Sequence, residues 1–144
     1  MKLSDIRVDA QKQEEGEWVK DIPEMGDLEL RVKGLNIPAY RNMQSKMYES
    51  VPRQHKSRGR VSTEYQEKIT NQCLHAHILM DWKNVNDGEK DVPFSKEMAH
   101  ELLTKPEYRA FRDAVVWAAS TVGQAVAEEN EDDLKNSPTP SSGT

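Results

Sequence analysis

The sequence lacks most of the features that mark catalytic, metal-binding or membrane proteins. Its single cysteine, Cys73, excludes an internal disulfide framework and a cysteine-rich structural zinc site. No apolar run is long enough to cross a membrane, and the N-terminal residues lack the apolar stretch of a signal peptide. The seven glycines are isolated and form no phosphate-binding or nucleophile-elbow motif. We therefore expect a soluble protein of a reducing, intracellular compartment.

Charge is unevenly distributed along the chain of 144 residues, which has a net charge of −5. Five acidic residues and one lysine lie between 128 and 144, so that segment carries −4 and residues 1–127 carry only −1. A nearly neutral domain argues against general nucleic-acid binding, which normally requires a positive excess. The length predicts a single domain over residues 1–127. The acidic and then Ser/Pro/Thr-rich residues 128–144 are predicted to be a disordered tail.

Apolar periodicity predicts four helices, and it is clearest in the last of them. Their expected positions are Ile37–Ser50, a segment that opens at Ser62 and Thr63 and runs to about Met80, Lys96–Thr104, and Lys105–Ala127. The last helix places one apolar stripe on a single face, formed by Tyr108, Phe111, Val115, Ala118 and Val122. The predicted stripe of the first helix is Tyr40, Met43, Met47 and Val51, and that of the second is Tyr65, Ile69, Cys73, Ala76 and Met80. Ser95 is the predicted N-cap of the third helix.

The clearest strand patterns lie in the N-terminal quarter of the chain. Glu17–Ile22 and Asp27–Lys33 alternate apolar and polar residues around a turn with Pro23 and Gly26, which predicts a β-hairpin. Residues 1–15 fit either an edge strand or a loosely attached arm, and residues 83–94 fit an irregular hairpin or ordered loop. The predicted fold is therefore α+β and predominantly helical, with about four helices, a small hairpin and a disordered C-terminal tail.

No residue set predicts catalysis or a cofactor. Cys73 and His77 share a helical face at spacing i and i+4, but a metal site needs further ligands from elsewhere in the chain. We therefore predict that this pair lies on a helix face that packs in the core. We expect a protein that is not an enzyme and that binds no cofactor or metal ion.

Two groups of residues are candidates for binding a partner. Val116 and Trp117 point away from the stripe of the last helix, so either the N-terminal hairpin covers them or a partner does. The basic loop, Arg53–Arg60, is predicted to be flexible and contains four cations within eight residues, Arg53, Lys56, Arg58 and Arg60. This loop fits a solvated linker, a nucleic-acid contact, or a contact with the acidic tail of the same or a neighbouring copy.

The order of these features resembles the tail assembly chaperones of long-tailed bacteriophages, over about Glu17–Ser120. The residues that carry the resemblance are Asp81-Trp82, the Asp87-Gly88 turn, Val92-Pro93-Phe94-Ser95-Lys96-Glu97, Leu102-Leu103 and Pro106-Glu107-Tyr108. The resemblance implies a small, mainly helical protein that acts in the cytoplasm of the infected host and is absent from the virion. Its implied partners are the tape measure protein and the tail tube protein, with self-association an open question. A longer product made by ribosomal frameshifting is a further expectation from the family.

A chaperone of this kind needs exposed apolar anchors on a soluble scaffold. Val116, Trp117, Met43 and Met47 are the expected anchors, since methionine adapts to irregular partners. Two alternatives stay open. One is another phage morphogenesis protein, such as a head–tail connector or a minor tail component. The other is a small nucleic-acid-binding regulator that uses the basic loop.

Overall fold

A computed structural model gives the structure of residues 1–124, so the predicted tail at 128–144 and residues 125–127 lie outside the described part of the chain. The helices are α1 (Leu3–Ile6), α2 (Ala10–Glu15), α3 (Pro38–Glu49), α4 (Thr63–Cys73), α5 (Lys96–Thr104) and α6 (Arg109–Thr121). The strands are β1 (Glu17–Val19), β2 (Glu29–Val32), β3 (Lys56–Ser57), β4 (Arg60–Val61) and β5 (Leu79–Lys83). The α+β, predominantly helical prediction is confirmed. The four predicted helices correspond to α3–α6, and two short N-terminal helices were not predicted.

The predicted N-terminal hairpin forms between β1 and β2, which pair antiparallel with Glu17 opposite Val32. The sheet also contains a third strand that periodicity had assigned to the end of a helix. Strand β5 pairs antiparallel with β2, with Leu30 opposite Trp82, which gives the order β1-β2-β5. Strand β5 therefore supports the hairpin through its pairing with β2, in addition to the packing of the hairpin on the helices.

The expected continuation of α4 to Met80 is wrong because the helix widens and then ends. Leu74–Ile78 form a π-helical turn in which the Leu79 N–H donates to the Leu74 carbonyl, five residues back. The extra residue in the turn rotates the face, so Ala76, expected inside, is exposed while Leu74 and Ile78 are buried. The chain can then leave directly into β5.

The core lies between the β2–β5 side of the sheet and helices α3–α6. Leu30 and Val32 of β2 are fully buried, as are Val115 of α6 and Val122 just beyond it. The stripe predicted for the last helix is correct at Val115, Ala118 and Val122, but Tyr108 is exposed. Tyr108 lies in a 3-10 turn that precedes α6, and this turn directs the side chain away from the core.

The end of α6 is fixed by contacts with the N-terminal arm. Gly123 has φ +84°, and its carbonyl accepts from the Asp9 N–H at 3.2 Å. A Cβ at Gly123 would lie 2.9 Å from the Asp9 carbonyl oxygen, so glycine is required there. The helix therefore ends at Thr121 and does not reach the predicted Ala127. Asp9 in turn caps α2, so the arm is helical and attached at this point, and no edge strand forms.

The first eight residues extend from this anchor with their apolar side chains in solvent. Met1, Leu3, Ile6 and Val8 are all exposed, and α1 buries no residue. Among residues 1–124, no helix is both long and apolar enough to span a membrane.

Candidate partner-binding surfaces

An open groove with a mainly apolar lining lies between α3 and α4. It has a volume of about 660 Å³. Its apolar lining comes from both helices and the turn after α3, namely Met43, Met47, Val51, Tyr65 and Ile69. Two cations, Lys46 and Lys68, also line the groove, one on each helix. The two methionines predicted as anchors therefore face the same open site.

The sequence explains why the groove is open. Tyr40 and Val51 of the α3 stripe are buried, whereas Met43 and Met47 are only partly buried, at the margin of the core. The Cys73 thiol is 3.9 Å from the Met47 sulfur, so the side chains close the base of the groove without filling it. Methionine is unbranched and polarisable, and it can repack against an incoming side chain. The groove can accept apolar side chains of varied shape.

Cys73 itself is part of the core. It has no exposed surface, and burial raises the pKa of its thiol, which is therefore protonated at neutral pH. Burial likewise raises the pKa of Tyr40 on the facing helix. No cluster of three or more potential metal ligands occurs within residues 1–124. His77 lines the groove and is not paired with Cys73 by any hydrogen bond among the described residues.

Val116 and Trp117 lie on a different surface. Trp117 is 39% exposed and borders a cleft of about 270 Å³ against the turn that joins β1 and β2. Pro23 and Met25 form the opposite wall of that cleft. Val116 is partly buried against the core. The hairpin thus covers part of this face and leaves the rest open, and the cleft shares no lining residue with the groove.

The basic loop is an ordered element, which corrects its interpretation as flexible. Lys56 pairs with Val61 and Ser57 with Arg60, while Arg58 and Gly59 form the turn with φ +51° and +78°. The His55 ring lies against Tyr65 of α4, with ring centroids 4.2 Å apart. We call residues 53–61 the basic hairpin. All four of its cations are exposed.

The residues that carry the phage resemblance have structural roles. The Trp82 indole N–H donates to the Val92 carbonyl at 2.8 Å, which ties strand β5 to the chain that leads into α5. Phe94 packs edge-to-face on Trp82 with centroids 4.9 Å apart. The Ser95 hydroxyl then accepts from the Met98 N–H at 3.0 Å and caps α5. These contacts hold the chain between β5 and α5 against the core and start α5 at Ser95.

Sequence reasoning missed three contributors to these surfaces. It did not assign Tyr65, Ile69 and Val51 to the groove, although all three lie on the predicted stripes of α3 and α4. The stripe shows which side chains lie on one face, but it does not show how closely the next helix approaches them. The exposed apolar arm, Met1–Val8, was visible only as a weak scatter of apolar residues.

The class of protein follows from a comparison with protein families. Residues 35–136 match a family model described as YdaY prophage protein, so this small α+β chain is a protein of phage origin. The match covers more than half of the chain, and the chain belongs to the YdaY prophage protein family. No curated protein and no solved structure matches it. The groove, the basic hairpin and α6 all lie within the matched range, whereas β1 and β2 precede it.

Proposed function

We propose that this protein is a phage tail assembly chaperone that binds the tape measure protein in the α3–α4 groove. The observation that carries the proposal is the open, methionine-lined groove in a chain of a prophage family. The resemblance of residues 17–120 to tail assembly chaperones supports the same assignment. The protein acts in the host cytoplasm without enzymatic chemistry, keeps the tape measure protein soluble, and presents it to the tail tube protein.

The shape and charge of the groove indicate how a tape measure segment binds. Helices α3 and α4 contain 12 and 11 residues, so the groove between them is about 16–18 Å long. That length accommodates about three turns of an amphipathic helix, with apolar anchors at i, i+3 or i+4, and i+7. Lys46 and Lys68 favour acidic residues that flank those anchors.

Co-expression with the tape measure protein of the same prophage tests the proposal. The groove variant combines Met43→Gln and Met47→Gln, which keeps side-chain length and helix propensity while it removes apolar surface. The matched control combines Ser45→Gln and Glu49→Gln, at exposed positions of the same helix. We expect wild type and the control to keep the tape measure protein soluble, and the groove variant to lose most of that effect at an unchanged melting temperature.

Two outcomes would contradict the proposal. One is a tape measure protein that is equally insoluble with and without wild-type protein. The other is detection of this protein in purified virions by mass spectrometry, because a chaperone leaves the particle whereas a connector or minor tail protein remains in it. Equal activity of the groove variant and wild type would move the binding site elsewhere, with the Trp117 cleft the next candidate.

A further inference from the structure

The basic hairpin is an ordered structure. Its four positive charges have no ion-pair partner among residues 1–124. Its ladder is extended by the Ser62 N–H, which donates to the His55 carbonyl at 2.8 Å. Among residues 1–124, none of its four cations lies within ion-pair distance of a carboxylate. Like charges held close together repel one another, so their arrangement favours an anionic partner.

The same sequence contains a segment of matching charge. Residues 128–133 read EENEDD and carry five carboxylates, against a net charge of −1 for residues 1–127. We call residues 128–133 the acidic run. Both the acidic run and the basic hairpin fall inside the range that matches the prophage family model. Nothing comparable in negative charge density occurs elsewhere in the chain.

The last described residues are linked to the start of α3, and the basic hairpin follows the opposite end of that helix. The Gln13 side chain donates to the Val122 carbonyl, and the Gln13 carbonyl accepts from the Gly34 N–H just before α3. The basic hairpin follows the other end of α3, whose 12 residues span about 18 Å. The four residues from Gln124 to Glu128 reach at most about 14 Å when fully extended. The acidic run therefore follows the end of the fold opposite its own basic hairpin, which favours contact with the basic hairpin of a second copy.

The contacts of α6 support this geometry. Arg109 pairs with Glu67 at 2.8 Å, and Arg112 donates to Asn71 at 2.9 Å. These two contacts advance in the same direction along α4 and α6. The C-terminal end of α6 therefore points away from the start of α4, where the basic hairpin lies.

We propose that the basic hairpin of one copy binds the acidic run of a second copy. Each copy has one basic hairpin and one acidic run. Because the contact joins these two different surfaces, copies associate head to tail. Because the charges are exposed, the contact is sensitive to salt: the Debye length falls from about 10 Å at 0.1 M to about 3 Å at 1 M. The inference concerns self-association and stands apart from binding of the tape measure protein.

Sedimentation velocity with two full-length variants tests the proposal. The hairpin variant carries Arg53→Gln, Lys56→Gln, Arg58→Gln and Arg60→Gln. The acidic-run variant carries Glu128→Gln, Glu129→Gln, Glu131→Gln, Asp132→Asn and Asp133→Asn. At low salt and rising concentration, wild type is expected to associate, and each variant alone to associate at least about tenfold more weakly because four or more exposed pairs are lost.

Mixing the two variants provides the decisive measurement. Each retains the surface that the other lacks, so a 1:1 mixture forms a dimer that cannot extend further. A salt concentration of 1 M disperses both that dimer and the wild-type assembly. The proposal is overturned if wild type stays monomeric at low salt, if either variant alone associates like wild type, or if the mixture stays monomeric. A monomeric wild type that shifts DNA at low salt, with the shift lost in the hairpin variant, would assign the basic hairpin to nucleic acid. No tape measure protein is present, so the outcome is independent of the proposed function.

Discussion

The aromatic core beside α5 and α6 and the groove between α3 and α4 are both apolar, but their side chains differ in rigidity and in how far the fold covers them. In the core, Trp82 contacts Phe94 and Phe111 edge-to-face, with centroids 4.9 and 5.7 Å apart. In the groove, Met43 and Met47 have flexible side chains that the chain covers only in part. The rings of the aromatic core are largely covered by other residues of the same copy. The groove leaves apolar surface open to solvent among residues 1–124.

This difference separates stability from binding. Rigid rings fix one geometry and contribute packing energy to the fold, whereas unbranched thioethers adapt to an incoming surface. We therefore expect substitutions in the core to unfold the protein and substitutions in the groove to leave it folded. The predictions that follow test this separation, from the largest expected change in stability to the smallest.

A matched truncation in each region gives the largest contrast. Leu103 of α5 is 2% exposed, and Leu103→Ala should lower the free energy of unfolding by about 2–5 kcal/mol, since it leaves a cavity in the core. Met43→Ala should cost less than about 1 kcal/mol because solvent already reaches the groove. Urea unfolding measures both values. Equal costs at the two positions would mean that the groove is part of the core.

The second-largest expected loss of stability comes from removing the indole hydrogen bond in the core. Trp82→Phe removes the N–H that the Val92 carbonyl accepts at 2.8 Å, beside a 5% exposed ring. We expect a loss of roughly 1–3 kcal/mol, from the unpaired carbonyl and the smaller ring. Thermal unfolding by circular dichroism measures it. A melting temperature equal to that of wild type would show that the bond contributes nothing to the attachment of β5.

Local signals account for the elements that sequence analysis placed correctly. Helix α5 begins and ends at the predicted residues because its limits depend on the Ser95 cap and the Lys105-Pro106 pair, both readable within a few positions. The antiparallel hairpin of β1 and β2 likewise depends on local alternation around a turn. Strand β5 was missed because pairing with β2, some fifty residues earlier in the chain, decides whether Leu79–Lys83 is helix or strand.

The candidate surfaces show the same limit. Periodicity placed Met43 and Met47 on one face of α3, and they do lie together in the groove. Whether α4 would cover that face depends on the interhelical distance, which no local pattern encodes. The four cations of the basic hairpin were visible as a run, but their ordered ladder depends on Arg58 and Gly59 adopting positive φ and on the stacking of His55.

Two serine caps allow a comparison between the helix of the core and the helix of the groove. The Ser95 hydroxyl accepts from the Met98 N–H at 3.0 Å, and the Ser62 hydroxyl from the Tyr65 N–H at 3.4 Å. Ser95→Ala should cost about 1 kcal/mol, and Ser62→Ala less, since its bond is longer. Urea unfolding of the two variants decides the order. The reverse order would show that the hairpin before α4 depends on Ser62 more than α5 depends on its own cap.

The smallest effect concerns the exposed ion pair that joins the two regions, Glu67 of α4 and Arg109 of α6, at 2.8 Å. The hydrogen bond and charge of Arg109 lower the pKa of Glu67 below its ordinary 4.5. A carboxyl whose pKa is lower in the folded state stabilises the fold above its unfolded pKa and loses that contribution as the pH falls through the folded pKa. Glu67→Gln should therefore lower the melting temperature slightly at pH 7, with the difference shrinking below pH 4.5 and vanishing in acid. The same substitution in an Arg109→Gln background should have no such pH dependence. If the pH dependence persists there, a group other than Arg109 lowers the pKa of the Glu67 carboxyl. The two helices would then not be coupled through this pair.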